Sequence, residues 1–322
     1  MKKPLVILTG PTAVGKTALS LALARRINGE IISADSMQVY RHMDIGTAKI
    51  RPDQMQGIPH YLIDVMEPDE EFNIVKFQML AKQALAQIYQ KGKIPIVVGG
   101  TGFYIQSLVY DISFQEEQED DGSLRKKLEQ QAEDIGVEAL HQMLCKVDEA
   151  AADAIHPNNK KKVIRALEYY YQTGQKISEH NETERKKESP YQVAYFVLNQ
   201  PRELLYERIN QRIDAMLAEG LLEEVRKLAA KGYDKSLVSM QGLGYKEILS
   251  YLEGDLTLEE AIYQLKRDTR HFAKRQITWF KRERDVIWFN KDEYIEEAAI
   301  LEDMLLTLQE KSIITEKKEE EK

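Results

Sequence analysis

The segment Gly10-Pro11-Thr12-Ala13-Val14-Gly15-Lys16-Thr17 matches G-x-x-x-x-G-K-[ST] in full, and no other feature constrains the chain as much. The pattern has a mechanism only where a buried strand runs into it and a helix leaves it. Both are expected here, since Leu5 to Thr9 is short and apolar and Lys16 to Arg26 has helical composition. Glycines let the backbone curl so that successive N–H groups face inward, and the helix N-terminus adds a positive dipole end. Lys16 supplies a full charge, and Thr17 a hydroxyl able to ligate Mg²⁺. Gly10 to Thr17 is therefore a candidate cradle for a diphosphate or a nucleotide. A chance match in a turn would lack the flanking strand and helix.

Strand and helix signals alternate from there. Glu30 to Ser33 reads as a second strand ending at Ala34-Asp35-Ser36, and Tyr61 to Val65 as a third. Val75 to Lys91 has helical periodicity, and Ile94 to Val98 is a buried strand ending in Gly99-Gly100-Thr101-Gly102. The expectation is an α/β fold: a P-loop NTPase-like core with a parallel sheet flanked by helices. Ligands in such sheets sit beyond the carboxyl ends of the strands, which gathers the P-loop, Asp35 and Thr101 around one crevice. From about 106 to 189 the chain turns charged and helical in period, as in Leu124 to Ala132, Val137 to Leu144 and Lys161 to Tyr171. That stretch is expected to be a mainly helical insertion domain. The core, from 1–105, resumes over 190–290. A strand is expected at Gln192 to Leu198, helices at Arg202 to Ala218, Leu221 to Lys231 and Leu258 to about Lys281, and a last strand at Val286 to Phe289. Residues 291–322 read as a C-terminal helix and a charged tail. Its end, Thr315 to Lys322, holds four Glu and three Lys, a composition that favours disorder.

A chain of 322 residues suits one large domain with an insertion, or two domains. With 43% hydrophobic and 30% charged residues it has a soluble protein's composition, and no apolar run is long enough to cross a bilayer. The start is charged and then apolar, but the apolar stretch ends after four residues and enters the P-loop, so it reads as a core strand and not as a signal peptide. Cys145 is the single cysteine; an internal disulfide is impossible, a cytoplasmic location is expected, and a buried or inert thiol is the plain reading. The six histidines offer no zinc spacing, and His60 reads as a packed side chain.

The net charge of −8 hides local basic surfaces. An acidic block spans 116–121, while Lys266 to Arg284 holds eight Lys or Arg against two acids. On a helix through residue 275, Arg267, Arg270, Lys274 and Lys281 share a stripe, and Phe272, Trp279 and Phe280 can face the core. A second basic run is Lys160-Lys161-Lys162 with Arg165. Each is by itself a solvated face or a surface for an anionic partner. The acid after the second strand, Asp35, faces the P-loop and can either orient Mg²⁺ or take a proton from a nucleophile.

An ordered set of segments resembles one family, the tRNA dimethylallyltransferases (IPP transferases). They are Gly10 to Thr17, Ser33-Ala-Asp-Ser-Met-Gln-Val-Tyr-Arg41, Met43-Asp-Ile-Gly-Thr-Ala-Lys49 and Ile58-Pro-His-Tyr-Leu-Ile-Asp64. Gly99-Gly-Thr-Gly-Phe-Tyr104, Arg165-Ala-Leu-Glu168 and Ala273-Lys-Arg-Gln-Ile-Thr-Trp279 complete the set. The resemblance, running from about residue 4 to 290, implies transfer of a dimethylallyl group from dimethylallyl diphosphate to N6 of adenosine 37 of tRNA. It implies that the P-loop holds the diphosphate leaving group with Mg²⁺, that Arg208 adds a second cation, and that Asp35, Thr101 and Lys16 serve catalysis.

Asp35 matches the proposed general base, with orientation of the amine as its alternative; Thr101 lies near the acceptor adenine or simply caps a helix; Arg208 is otherwise a surface arginine. The implied tRNA contacts are Asp35, Ser36, Met37 and Gln38; Lys161, Lys162, Val163, Ile164 and Arg165; and Gln241, Gly242, Leu243, Gly244, Tyr245 and Lys246. To these the resemblance adds Thr101, Arg125, Arg270, Lys274 and Arg275. In the second group this chain has Lys-Lys-Val-Ile-Arg where other members can carry Gln-Arg. Gln241 to Tyr245 is otherwise a helix-joining turn. The implied partner is the tRNA anticodon arm, met by a monomer away from any membrane. A small-molecule kinase, a prenyltransferase of free adenine nucleotides and a nucleotide-switched RNA-binding module are the competing readings.

Overall fold

The computed structural model describes residues 2–114 and 123–315. The acidic block at 116–121 and the tail beyond 315 lie outside the described residues. The chain forms two compact units, one running to Asp111 and again from Ser189, the other Ile112–Glu188.

The first unit is a parallel sheet with helices on its faces. Its strands are β1 (Lys3–Thr9), β2 (Gly29–Ala34), β3 (His60–Tyr61), β4 (Ile94–Gly99), β5 (Tyr191–Asn199) and β6 (Val286–Asn290), in the order β3-β2-β4-β1-β5-β6. Every pairing is parallel. Leu5, Val6, Ile7 and Leu8 of β1 are fully buried, as expected of a central strand covered on both faces. Between the strands run α1 (Lys16–Arg26), α2 (Ile74–Gln90) and α3 (Gly102–Val109). Register places the site: Thr9 pairs with Gly99, and Ala34 also pairs with Gly99. The carboxyl ends of β1, β2 and β4 are thus level, and the next residues, Gly10, Asp35 and Gly100, share one edge.

The other unit holds α4 (Ser123–Ile135), α5 (Val137–Val147), α6 (Glu149–Ala154), α7 (Lys160–Thr173) and α8 (Ile177–Lys186). Its own core includes Leu128, Leu140, Leu144, Val163, Ile164 and Leu167. Asn159 caps α7 by accepting from the Lys162 N–H, and Gly174 ends it in the left-handed region at φ 70°. Back in the first unit follow α9 (Arg202–Glu219), α10 (Leu221–Ala230), α11 (Tyr245–Leu252), α12 (Leu258–Phe280) and α13 (Glu297–Glu310). A capping box of Thr257 and Glu260 starts α12.

Two sequence expectations change. The third strand stops at Tyr61, because Leu62 and Asp64 take positive φ of 62° and 53°, which no strand accommodates. The insertion begins at Ile112 and not at 106, since Ile105, Leu108 and Val109 of α3 are buried in the main core. No described helix is long and apolar enough to cross a membrane.

Candidate active site

The P-loop joins β1 to α1. Gly15 is the N-cap of α1 with φ 100°, a backbone state that a β-carbon disfavours. Val14 is fully buried and anchors the loop to the core; it offers the cleft no side chain. Thr12, Ala13, Gly15, Lys16 and Thr17 line a cleft of about 270 Å³ together with Asp35, Gln38, Gly100, Arg208, Arg212, Phe272 and Gln276. Of the residues singled out in the sequence for this crevice, the structure brings the P-loop, Asp35, Gln38 and Arg208 together.

The Lys16 ammonium donates to the carbonyls of Gly10 and Pro11, each at 2.9 Å. Burial pulls its pKa down to about 7; the Arg212 guanidinium pushes the same way, and Asp35 opposes both. Arg212 is itself held below the ordinary arginine range by burial, again opposed by Asp35. Two desolvated cations share one acidic neighbour, so the cleft is short of negative charge and suits a polyanion. Arg208 stands one helical turn before Arg212 on α9. Arg212 was not singled out in the sequence, although its spacing of four from Arg208 puts both on one helix face.

The Asp35 carboxylate is oriented by its own turn, Oδ1 accepting from the N–H groups of Met37 at 2.9 Å and Gln38 at 3.4 Å. Ser36 lies in that turn. Gln38 is tied back by its amide to the carbonyls of Thr47 and Ala48, at 3.3 and 3.5 Å. Thr101 precedes α3 and donates its N–H to the Ala34 carbonyl at 3.2 Å. It is the N-cap residue of α3, its carbonyl accepting from the Tyr104 and Ile105 N–H groups at 3.0 and 3.2 Å, while its side chain makes no capping bond. The described residues hold no group of three or more side chains able to cage a metal ion. Thr17 at the head of α1 is the hydroxyl ligand expected for Mg²⁺.

The expected RNA-contact residues divide. Lys161, Lys162 and Arg165 are exposed on α7, whereas Val163 and Ile164 are 0% and 2% exposed and fill the second unit's core. The helical period that exposes the basic residues turns these two inward. Arg125 of α4 pairs with Glu129 at 3.6 Å and Glu168 at 3.9 Å. In the loop before α11, Gln241 is exposed and Gly242 lies against Met37. Leu243 packs on the main core, and the Gly244 N–H donates to Glu247 Oε2 at 2.8 Å. Tyr245 is no surface residue: it is fully buried, its hydroxyl donating to Glu224 Oε1 at 2.7 Å. Lys246 pairs with Glu247 at 3.4 Å and Asp268 at 3.7 Å.

Along α12, Lys274 and Arg275 are exposed and line a groove of about 410 Å³ with His271, Thr278, Trp279 and Arg282. Arg270 leaves the expected stripe. It donates to Asn210 Oδ1 at 2.8 Å and lies over the Tyr206 ring. Phe272 also departs from expectation, facing the cleft and not the core. His60 is structural, its Nδ1 lying 2.8 Å from the Ile58 carbonyl, and burial lowers its pKa. Cys145 is exposed and not buried.

Comparison with known proteins shows the family. A family model described as IPP transferase matches residues 38–283. The chain is 64% identical over 312 residues to the tRNA dimethylallyltransferase of Lachnoclostridium phytofermentans, covering 97% of this chain and 99% of that one. The chain belongs to the IPP transferase family. Another member, from Acetivibrio thermocellus, is 52% identical over 93% of this chain and 95% of its own. Among solved structures, the family's tRNA isopentenylpyrophosphate transferase from Bacillus halodurans superposes with a TM-score of 0.72 at 44% identity, covering 97% of this chain and 98% of that one. A eukaryotic dimethylallyltransferase captured acting on tRNA superposes with a TM-score of 0.82 at 30% identity, over 98% of this chain and 81% of that one.

Proposed function

We propose that this member of the IPP transferase family moves the dimethylallyl group of dimethylallyl diphosphate to N6 of adenosine 37 in the tRNA anticodon arm, releasing diphosphate. The observation that carries the reading is one cleft in which a P-loop and two desolvated cations face a carboxylate held by its own turn.

The reaction forms an N6–carbon bond, breaks the carbon–oxygen bond to diphosphate, and releases one proton from the amine. Charge grows on the leaving diphosphate as the bond breaks, and preorganised cations lower the barrier most when they already stand where that charge appears. Lys16, Arg208 and Arg212 line the cleft for that purpose. Asp35 takes the N6 proton, its carboxylate fixed by the Met37 and Gln38 amides so that it need not reorganise. Thr101, next after the cleft residue Gly100, contacts the acceptor adenine in this reading.

Mg²⁺ is held by few protein ligands in sites of this kind, the remainder being phosphate oxygens and water. Thr17, a hard oxygen donor in the cleft wall, fits that requirement; when bound, the ion would neutralise part of the diphosphate charge. An adenine stacked in a loop must be extruded before its N6 can react. Basic side chains for the RNA backbone are available at Lys274 and Arg275 on α12 and at Lys161, Lys162 and Arg165 on α7. The enzyme works as a monomer in the cytoplasm.

The test incubates the protein with unmodified tRNA, labelled dimethylallyl diphosphate and Mg²⁺. Label in the tRNA is expected. Hydrolysis of ATP or GTP with no label in the tRNA would overturn the reading.

A further inference from the structure

Gln276 sits midway along α12, 6% exposed, with its amide in the wall of the P-loop cleft. Its Oε1 accepts from the Thr12 N–H at 2.9 Å, and its Nε2 donates to the Gly100 carbonyl at 2.9 Å. One side chain thereby ties the P-loop, the turn after β4 and α12 together. The fit leaves no slack, because a β-carbon at residue 100 would collide with that Nε2.

What these bonds control follows from the planarity of the peptide unit. The Thr12 N–H belongs to the same plane as the Pro11 carbonyl, and that carbonyl holds the Lys16 ammonium at 2.9 Å. Fixing the N–H fixes the direction of the carbonyl. The Gly100 carbonyl shares its plane with the Thr101 N–H, which donates to the Ala34 carbonyl at 3.2 Å, just ahead of Asp35. One amide therefore sets two planes, and through them Lys16 on one side and the approach to Asp35 and Thr101 on the other. Volume alone does not call for an amide here, since methionine would fill the space. The donor and acceptor are both used, each on backbone that borders the cleft.

We propose that Gln276 is a positioning residue for the transfer reaction, orienting the Pro11–Thr12 and Gly100–Thr101 peptides and so the groups that grip the diphosphate and face the acceptor. The inference rests on the proposed transferase reaction. Gln276→Met keeps the volume and removes both bonds. It is expected to raise KM for dimethylallyl diphosphate and lower kcat, together costing at least about tenfold in kcat/KM, with tRNA affinity unchanged. A purely structural role would lower the active fraction, and hence apparent kcat, while leaving KM alone.

Gln276→Glu gives a second readout. Its ionised carboxylate can accept from the Thr12 N–H but has no proton for the Gly100 carbonyl; its protonated form restores both bonds. Activity relative to the natural protein at the same pH should therefore recover in Gln276→Glu as pH falls from 8 to 6, and stay flat in Gln276→Met. Unchanged KM in Gln276→Met, or no recovery in Gln276→Glu, overturns the proposal. If the natural protein transfers no prenyl group, the transferase reading fails by itself. Calorimetric binding of dimethylallyl diphosphate then decides the role of Gln276: weaker binding in Gln276→Met supports it, and equal binding overturns it.

Discussion

Lys16 is half-buried in the cleft wall, and desolvation together with the Arg212 charge brings its pKa from the ordinary 10.5 down to about 7 against the pull of Asp35. Above about pH 7 the free amine is mostly neutral, and an arriving diphosphate favours the charged form, so binding draws in a proton. KM for dimethylallyl diphosphate should rise as pH climbs above 7, and calorimetry in buffers of different ionisation enthalpy should show more proton uptake at pH 8 for the natural protein than for Lys16→Met. The stability sign follows from the same shift. With the folded pKa below the unfolded one, the cost of burying charged Lys16 is full below about pH 7. It is relieved as pH rises from there toward 10.5.

Asp35→Ala should lower the transfer rate by roughly 10²- to 10⁴-fold, the range for a lost general base, and leave tRNA binding nearly intact; lost binding would reassign Asp35 to recognition. Tyr245 is buried against Glu224, so Tyr245→Phe should cost about 1 kcal/mol of stability. A denaturant titration measures that loss, and a filter-binding assay should show unchanged tRNA affinity.

The elements differ in how much of them the sequence reveals. β1, α1, β2 and β4 are each marked by local pattern, and the P-loop spacing locates Lys16 and Thr17 without any tertiary knowledge. α12 was visible as a helix, but not which of its sides meets what. It packs on α11, α9 and α3 and borders the cleft, brought there by the sheet order and not by any local signal, so Arg270 turns to Asn210 and Phe272 to the cleft. For the same reason Gln276 belongs to the segment Ala273 to Trp279 that resembles the family, yet nothing local ties it to Thr12 and Gly100. On the outer side of α12, Lys274 is exposed and pairs with no carboxylate among the described residues, as a phosphate contact would. Lys274→Ala should weaken binding of all tRNA sequences alike and reduce the slope of log affinity against log salt by about one.

At the scale of the molecule, the sheet order decides where chemistry occurs. β1 lies between β4 and β5, while the chain first crosses from β1 to β2, and the P-loop, Asp35 and Gly100 meet at that switch in strand order. Alternating strand and helix patterns announced the α/β class, but pairing order and register depend on contacts distant in sequence and were not legible. The inserted unit was legible as helical from its charge and period, and the burial of Val163 and Ile164 in its own core corrects only which of its residues remain available to RNA.

The account stands most directly on where the prenyl group goes. Unmodified tRNA should be treated with the protein, dimethylallyl diphosphate and Mg²⁺, then digested to nucleosides for mass spectrometry, with released diphosphate measured in parallel. The account predicts one dimethylallyl group on N6 of adenosine 37 for each diphosphate released, and none on a tRNA carrying guanosine at that position. Prenyl transfer to another position, to free adenine nucleotides alone, or diphosphate release without any modified nucleoside would contradict it.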